Sequence, residues 1–329
     1  MDASSMEIKN KGMEEYGSSK IKRTRKSVFF KEFRDNRMLY LMTLPGIMVL
    51  LIFCYVPMSG IYMAFTDYNI KEGIFGSKFV GFKNFLYFFT DGGMALRVTY
   101  NTIILNTFYI ITGLVFPISI SIFLNEINNK IFKKTTQMFL FFPYFLSWVV
   151  IGAIIYSLFS SDVGVVNTIL KSFGMEPVRW YAEPKYWKAI LVGANVWKWT
   201  GYSTIVYLAA MVNFDYALYE AAIVDGATKF QQIRSITLPL IKPTAVVLTL
   251  LSIGRIFYGD FAMIYGIVGD NGVLSDATTV IDTYVYSAMR TLGFSLASAI
   301  GLYQSVMGLI LVTLTNHLAK KINDGEGLF

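Results

Sequence analysis

One histidine and one cysteine in 329 residues leave little room for metal or redox chemistry. Cys54 has no second thiol to pair with and no companions at zinc-ligand spacing, and it lies inside an apolar run. His317 stands at the end of the last apolar run, where a role at a helix end fits better than catalysis. The chain has no G-x-x-x-x-G-K-[ST] loop to cradle nucleotide phosphates, no G-x-S-x-G and no H-E-x-x-H. This inventory gives an enzyme nothing to work with. If energy drives the protein, another subunit supplies it. Charge is scarce as well, at 16% of residues, and no soluble repeat period is evident.

What is present is apolar length. Hydrophobic residues make up 54% of the chain and its mean hydropathy is +0.50, the composition of a polytopic membrane protein. A spanning helix needs about 20 mostly apolar residues. Six runs qualify, roughly 38–66, 98–125, 136–160, 188–213, 244–268 and 294–319. They are continuous rather than alternating, so the expected class is all-α with six transmembrane helices, not a barrel. The first run is too long for a signal-peptide core and follows a long polar arm, which reads as a retained span. Within it, Pro45 and Pro57 predict a bend towards its far end.

The net charge of +7 is uneven. The arm 1–37 is basic, with Lys20, Lys22, Arg23, Arg25, Lys26, Lys31, Arg34 and Arg37 crowding the first span, and its composition up to residue 27 is that of a disordered segment. Such an arm favours the cytoplasm. Six crossings then return the tail 322–329 to the same side, next to Lys320 and Lys321, and place Lys130, Lys133 and Lys134 inside. Lysines beside a span are topology and lipid-headgroup contacts, not nucleic-acid contacts. The reading is one membrane domain over 38–321 in a cell membrane, with a cytoplasmic loop at 214–243 and longer outer loops at 67–97, 161–187 and 269–293.

The loop at 214–243 is the polar exception. Glu220, Ala221 and Ala222 are good helix formers, and Gly226 suits a helix end that needs positive φ. Phe230, Ile233 and Ile236 recur at threes on one face of a second short helix, and Pro239 and Pro243 are expected to stop it before the next span. Two short helices with one apolar face make a plug for a groove in another protein, or a plain loop packed on the bundle's own inner surface.

These residues resemble a known signature. Glu220-Ala221-Ala222, with Asp225-Gly226, Ile236 and Leu238-Pro239 at fixed intervals, is similar to the EAA motif of permease subunits in type I ABC importers, in the carbohydrate-uptake branch. Phe142-Pro143-Tyr144, Ser147-Trp148, Tyr258-Gly259-Asp260, Asp282-Thr283-Tyr284 and Tyr303-Gln304-Ser305 resemble its complex oligosaccharide and polysaccharide permeases, and the likeness covers roughly 38–321. The resemblance implies that Glu220, Ala221, Ala222, Asp225, Gly226, Ile236 and Pro239 couple the spans to an ATPase and touch no sugar. It implies a second homologous permease, two ATPase subunits holding ATP and magnesium, and an extracellular sugar-binding protein. The chain itself would bind no cofactor. Frequent Lys, Asn and Ile hint at a low-GC Gram-positive source, in which the binding protein is a membrane-tethered lipoprotein.

Charges inside the expected spans form a second group. Lys198, Arg255 and Asp260 cost about 2.5–3.5 kcal/mol each on insertion scales, so they should face the bundle interior. Arg255 and Asp260 are about 140° apart on one helix and form no same-face pair. Two antiparallel spans put Lys198 and Asp260 at similar depth, which predicts a cross-helix pair and leaves Arg255 for backbone carbonyls, a neighbouring subunit or an anionic sugar; all three as packing contacts is the alternative. Aromatics crowd the same spans: Trp197, Trp199, Tyr202, Tyr207, Tyr258, Phe261 and Tyr265, with Tyr144 and Trp148 nearby. They suit a sugar route, and equally an interfacial belt or helix packing. The candidate pathway or interface set is Trp148, Trp197, Lys198, Tyr202, Arg255, Tyr258, Asp260 and Tyr265, and the basic side chains favour acidic, uronate-containing substrates. An ion- or proton-coupled secondary transporter is the rival reading. It would want intramembrane acids and an inverted repeat, and only Asp260 is on offer.

Overall fold

The structure, a computed structural model, describes residues 36–322; the basic arm up to residue 35, with the disorder expected of it, and the tail from 323 lie outside the described residues. The chain divides into two compact units, Met1–Ser59 and Gly60–Phe329. In the first, α1 (Arg37–Leu50) contains Pro45 and no buried residue. It runs into a π turn at Leu51–Tyr55 and a 3-10 stretch beginning at Val56. In place of the bend expected near Pro57, Arg37–Phe65 continues as one span and changes helix type, which absorbs the missing N–H.

The second unit is helical apart from a two-residue antiparallel pairing of Thr66–Asp67 with Lys78–Phe79. Its helices are α2 (Lys83–Thr90), α3 (Met94–Glu126), α4 (Lys130–Phe141), α5 (Trp148–Phe159), α6 (Val165–Ser172), α7 (Trp187–Val212), α8 (Ala217–Val224), α9 (Lys229–Ile253), α10 (Phe261–Val268), α11 (Ile281–Thr291) and α12 (Phe294–Ile322). Local sequence sets the starts. The Asn129 side chain accepts from Ile131 and Phe132 N–H at α4, Ser147 from Val150 N–H at α5, and Asp260 from Met263 N–H at α10.

The 33-residue α3 is the central post, about 50 Å long at 1.5 Å per residue. It contributes to all three buried clusters: Leu105 with Trp187, Leu191, Ile151 and Met263; Val98 with Phe88, Phe257, Ile281 and Ile300; Leu124 with Tyr207, Leu208 and Ile241. Lipid tails are as apolar as leucine, so close packing rather than water exclusion holds such helices together. Glycine makes it possible. A Cβ on Gly152 of α5 would fall on the Gly266 carbonyl of α10, and one on Gly201 of α7 on the Leu140 carbonyl of α4. Elsewhere α3 exposes Phe108, Ile111, Val115, Phe116 and Phe123, a face suited to lipid.

Among the described residues, four helices are long and apolar enough to cross a membrane: Arg37–Phe65, Met94–Glu126, Lys229–Ile253 and Phe294–His317. Lys130–Phe145 with Trp148–Phe159, bent by 101°, makes a fifth if the two pieces count as one. α7 has the length, at 26 residues, but Lys188, Asn195 and Lys198 make it less apolar than those four.

Three expectations need correction. The run 136–160 is not one straight helix, because Pro143 and the Ser147 cap end one helix and begin another. The run 244–268 is also broken: α9 stops at Ile253, turns occupy Gly254 to Phe257, and Asp260 starts α10. Nor does Pro239 stop the helix before it. The π turn Ile233–Thr237 runs directly into Leu238–Ile253, so α9 is continuous through Pro239 and Pro243. The wider π turn relieves the clash a proline ring makes with the preceding turn.

Candidate functional site

Two ends of the bundle can be told apart by their contacts. At one, Glu126 at the end of α3 meets Lys229 at the start of α9, Nζ to Oε2 2.8 Å. At the other, Asn101 near the start of α3 donates to the carbonyls of Asp276 and Thr279, and Asn271 to that of Tyr181.

The first end carries the loop of α8 and the start of α9. Gly226 has φ +76°. Its N–H bonds the Ile223 carbonyl at 3.0 Å and the Ala227 N–H bonds the Ala222 carbonyl at 2.8 Å, the paired bonds of a Schellman ending. Two residues on, Thr228 and Gln231 cap α9 reciprocally: Thr228 N–H donates to Gln231 Oε1 at 2.7 Å, and Gln231 N–H to Thr228 Oγ1 at 3.4 Å. Tyr219 and Thr237 join their hydroxyls at 3.0 Å, which ties α8 to the π turn. Glu220, Ala221, Asp225, Gly226 and Pro239 are exposed, while Ala222 and Ile236 are half-buried. Val224 and Phe230 are 87% and 70% exposed at the tip. The loop is therefore capped by its own residues at the turn between α8 and α9, and apolar at its tip.

The second feature is the break after α9. Unwound backbone at membrane depth needs partners, and three side chains supply them. Asn106 of α3 donates to the carbonyls of Ile256 (3.1 Å) and Tyr258 (3.2 Å). Gln304 of α12 donates to the Phe257 carbonyl (2.8 Å) and to Asp282 Oδ2 (2.9 Å). Asp282 of α11 accepts from Gly259 N–H at 2.5 Å. Burial pushes the Asp282 carboxyl above the usual carboxylate range, opposed by the hydrogen bonds from Gly259 and Gln304. Residue 259 must be glycine, since a Cβ there would lie 2.6 Å from Val280 Cγ2 and 2.9 Å from the Asp282 carboxylate.

This stretch forms one wall of a cleft of about 700 Å³. Arg255, Tyr258, Asp260 and Phe261 line it from the break, Trp199 and Tyr202 from α7, and Asn106 and Tyr109 from α3. Arg255 is exposed. Of the four ion pairs among the described residues, none includes it. Tyr202 stacks on Tyr144 at 4.9 Å and meets Trp199 edge-on at 6.1 Å, giving the cleft an aromatic part of its lining.

Lys198 makes no direct ion pair with Asp260, although the two charges lie within electrostatic reach of each other. Its ammonium donates to the carbonyls of Tyr144, at 3.0 Å, and Leu146, and lies 5.1 Å from the centre of the Trp148 ring. The bend between α4 and α5 leaves those carbonyls without helical N–H partners, and a buried cation at a helix end is what they need. Asp260 caps α10 instead, Oδ1 to Met263 N 2.9 Å. The structure thus brings Tyr202, Arg255, Tyr258 and Asp260 together. Trp148 and Lys198 stand behind the wall, at the α4–α5 bend. Trp197 is 44% exposed and does not line the cleft, and Tyr265 lines a separate cavity of about 480 Å³ at the end away from the α8 loop.

A bundle with an exposed plug at one end and a polar-walled cleft at an unwound helix is the geometry of a gated pore subunit. Residues 113–324 match the family model described as "Binding-protein-dependent transport system inner membrane component". The chain belongs to that family. It is 38% identical over 313 residues to the polygalacturonan/rhamnogalacturonan transport system permease protein YteP of Bacillus subtilis, covering 92% of this chain and 96% of the relative. Protein LplB of the same organism is 36% identical over 297 residues, 90% and 92% of the two chains. A chain of a bacterial ABC transporter that imports the acidic polysaccharide alginate superposes with a TM-score of 0.81 at 33% identity, over 89% of this chain and 99% of that one.

This permease is therefore a non-catalytic, multi-pass subunit of an ABC importer in the bacterial plasma membrane, with the type I importer permease fold; ATP hydrolysis lies in partner ATPase subunits. Sequence reasoning missed Asn106 in the permease altogether; Asp282 and Gln304 stood there only in family-like motifs, without their role at the break, and Trp199, named among the aromatics but left out of the candidate set, lines the cleft where Trp197 does not. A signal for Asn106 and Gln304 existed: each is an amide within a long apolar run, and such groups need a buried partner.

Proposed function

We propose that this permease forms one half of a two-permease pore for complex, acidic oligosaccharides. A second, homologous permease completes the pore. In this reading it crosses the membrane six times with both termini in the cytoplasm, the domain running 38–321. Glu220, Ala221, Ala222, Asp225, Gly226, Ile236 and Pro239 dock in one of two ATPases, where ATP and magnesium bind. The end with the 480 Å³ cavity faces outward to a sugar-binding protein, a lipoprotein if the source is Gram-positive. The observation that carries the substrate class is the cleft itself, whose lining brings together an exposed guanidinium, Arg255, the rings of Trp199, Tyr202 and Tyr258, and the polar groups of Asn106 and Tyr109. Arginine takes a carboxylate in bidentate fashion, and aromatic faces suit the C–H faces of a pyranose. One relative is a polygalacturonan/rhamnogalacturonan permease, and the similar structure is that of an importer of alginate, an acidic polysaccharide.

Transport then follows from two global states. The loaded binding protein and ATP-driven closure favour the outward-open state, hydrolysis restores the inward one, and the α8–α9 loop links the two events. An ion-coupled carrier would not need an exposed plug for an ATPase. The test is uptake by proteoliposomes holding the complete complex, with galacturonate oligomers set against neutral oligosaccharides of equal length. The acidic series is preferred, and Arg255→Gln raises its KM about tenfold or more, the loss of a charge-assisted hydrogen bond. Equal uptake of the neutral series, with no effect of Arg255→Gln, overturns the substrate class.

A further inference from the structure

The cavity of about 480 Å³ is walled by α10, α11 and the loop between them, and its volume lies within the roughly 300–1,000 Å³ of small-molecule sites. Its chemistry is that of a sugar site. Tyr265 and Tyr286 meet edge-to-face at 5.1 Å. Arg290 lies over the Tyr286 ring at 5.6 Å and bonds Asp270 at 3.3 Å. On the other rim Arg97 pairs with Asp276. All four charged side chains are well exposed, 42–71%. Exposed ion pairs of this kind contribute little to stability. Each arginine can therefore exchange its aspartate for a ligand carboxylate at small cost.

A stack of rings runs between the cavity and the cleft. Phe261, at the first turn of α10, lines the cleft. It stacks on Tyr265 at 5.2 Å with planes 12° apart, and Tyr265 and Tyr286 line the cavity. The eight-residue α10, about 12 Å long, is thus a partition with an aromatic surface from one space to the other.

We propose that this cavity is an entry subsite for an acidic oligosaccharide, binding the trailing uronates of a chain whose leading end occupies the cleft. Tyr286 and Tyr265 offer ring edges and faces to the sugar, and Arg290 and Arg97 take its carboxylates. The proposal rests on the acidic-oligosaccharide reading above and adds to it a dependence on chain length. A dimer fills the cleft alone, whereas a pentamer needs both spaces.

The experiment is uptake of digalacturonate and pentagalacturonate by proteoliposomes of the complete complex, wild type against Tyr286→Ala and Arg290→Gln. Stimulation of ATP hydrolysis by the digalacturonate-loaded binding protein is followed in parallel. The expected result is a KM about tenfold higher for the pentamer, an unchanged KM for the dimer and unchanged stimulation. Arg97→Gln on the opposite rim gives the same discrimination and serves if a Tyr286 or Arg290 variant does not assemble. Equal effects on dimer and pentamer with weakened stimulation show the cavity to be a docking face for the binding protein, and overturn the subsite. No effect on either length overturns it too. A wild-type complex that imports neither galacturonide overturns the substrate reading itself, and the subsite with it.

Discussion

The α8–α9 loop and the break at Gly254–Asp260 both depart from regular helix, and they are stabilised in opposite ways. In the loop the capping bonds are local: Gly226 to Ile223, Ala227 to Ala222, Thr228 with Gln231, with Tyr219–Thr237 and Lys229–Glu126 added from further along the chain. At the break the bonds come from residues far along the chain: Asn106 and Gln304 to the carbonyls, and Asp282 to the Gly259 N–H. The loop can thus keep its shape while the bundle moves around it, as a lever between two proteins should. The break has its shape only while α3, α11 and α12 hold it, so a change in the bundle is felt directly at Arg255 and Tyr258.

The comparison can be broken most severely at Gly226. Its φ of +76° costs an ordinary residue about 1–2 kcal/mol and a β-branched one more, although no atom lies within 4 Å of where a Cβ would stand. Gly226→Val is expected to assemble with its partners yet lose uptake by tenfold or more, through the altered loop alone. Wild-type uptake by this variant would sink the coupling role.

Lys198→Met should come next. It strands the carbonyls of Tyr144 and Leu146, at about 1–3 kcal/mol for each unpaired buried group. Thermal unfolding of the purified complex measures it. Exchanging Lys198 and Asp260 is expected to rescue nothing, because Lys198 serves carbonyls and Asp260 serves a helix cap; a rescue would restore the cross-helix pair.

A pair of milder changes sharpens the local against the distant. Asn106→Ala frees two carbonyls at the break and should lower stability by about 1–3 kcal/mol, with KM for substrate raised as Tyr258 shifts. Thr228→Ala removes one cap, about 1 kcal/mol, and should leave KM unchanged while uncoupling ATP hydrolysis from transport. If both variants alter KM alike, the two regions are not independent.

The smallest effect is a pH slope. Asp282 has a folded-state pKa raised by burial, so the folded form holds its proton to higher pH than the unfolded one. Its stabilising contribution is fully present below the ordinary carboxylate value. It declines as pH climbs from there through the raised value, and is flat above it. Asp282→Asn should remove that decline in a thermal-unfolding series. A slope that survives the change assigns it to another group.

Much of this was legible in the residues. Apolar runs longer than any soluble helix needs specify membrane helices, since backbone in lipid must satisfy itself. The spacing of Glu220, Gly226 and Ile236 specifies the loop, because its capping bonds span at most five residues and each depends on side chains or glycines adjacent in sequence. Helix ends misled twice, in opposite directions. Pro239 reads as a stop and is absorbed by a π turn, whereas nothing in the hydropathy of 244–268 announces the break that Gly254 and Asp260 make.

What the tertiary structure alone decided is which polar group meets which. Depth along two antiparallel helices placed Lys198 beside Asp260, but depth says nothing of rotation about each axis, and rotation turned Lys198 to the carbonyls of the α4–α5 bend. In the same way Trp199 rather than Trp197 faces the cleft. The sequence by itself determined the class, the membrane and the capped shape of the α8–α9 loop, for these rest on composition and on contacts between near neighbours. The cleft and the cavity beyond it exist only where helices distant in the chain pack, and packing is a property of the whole bundle.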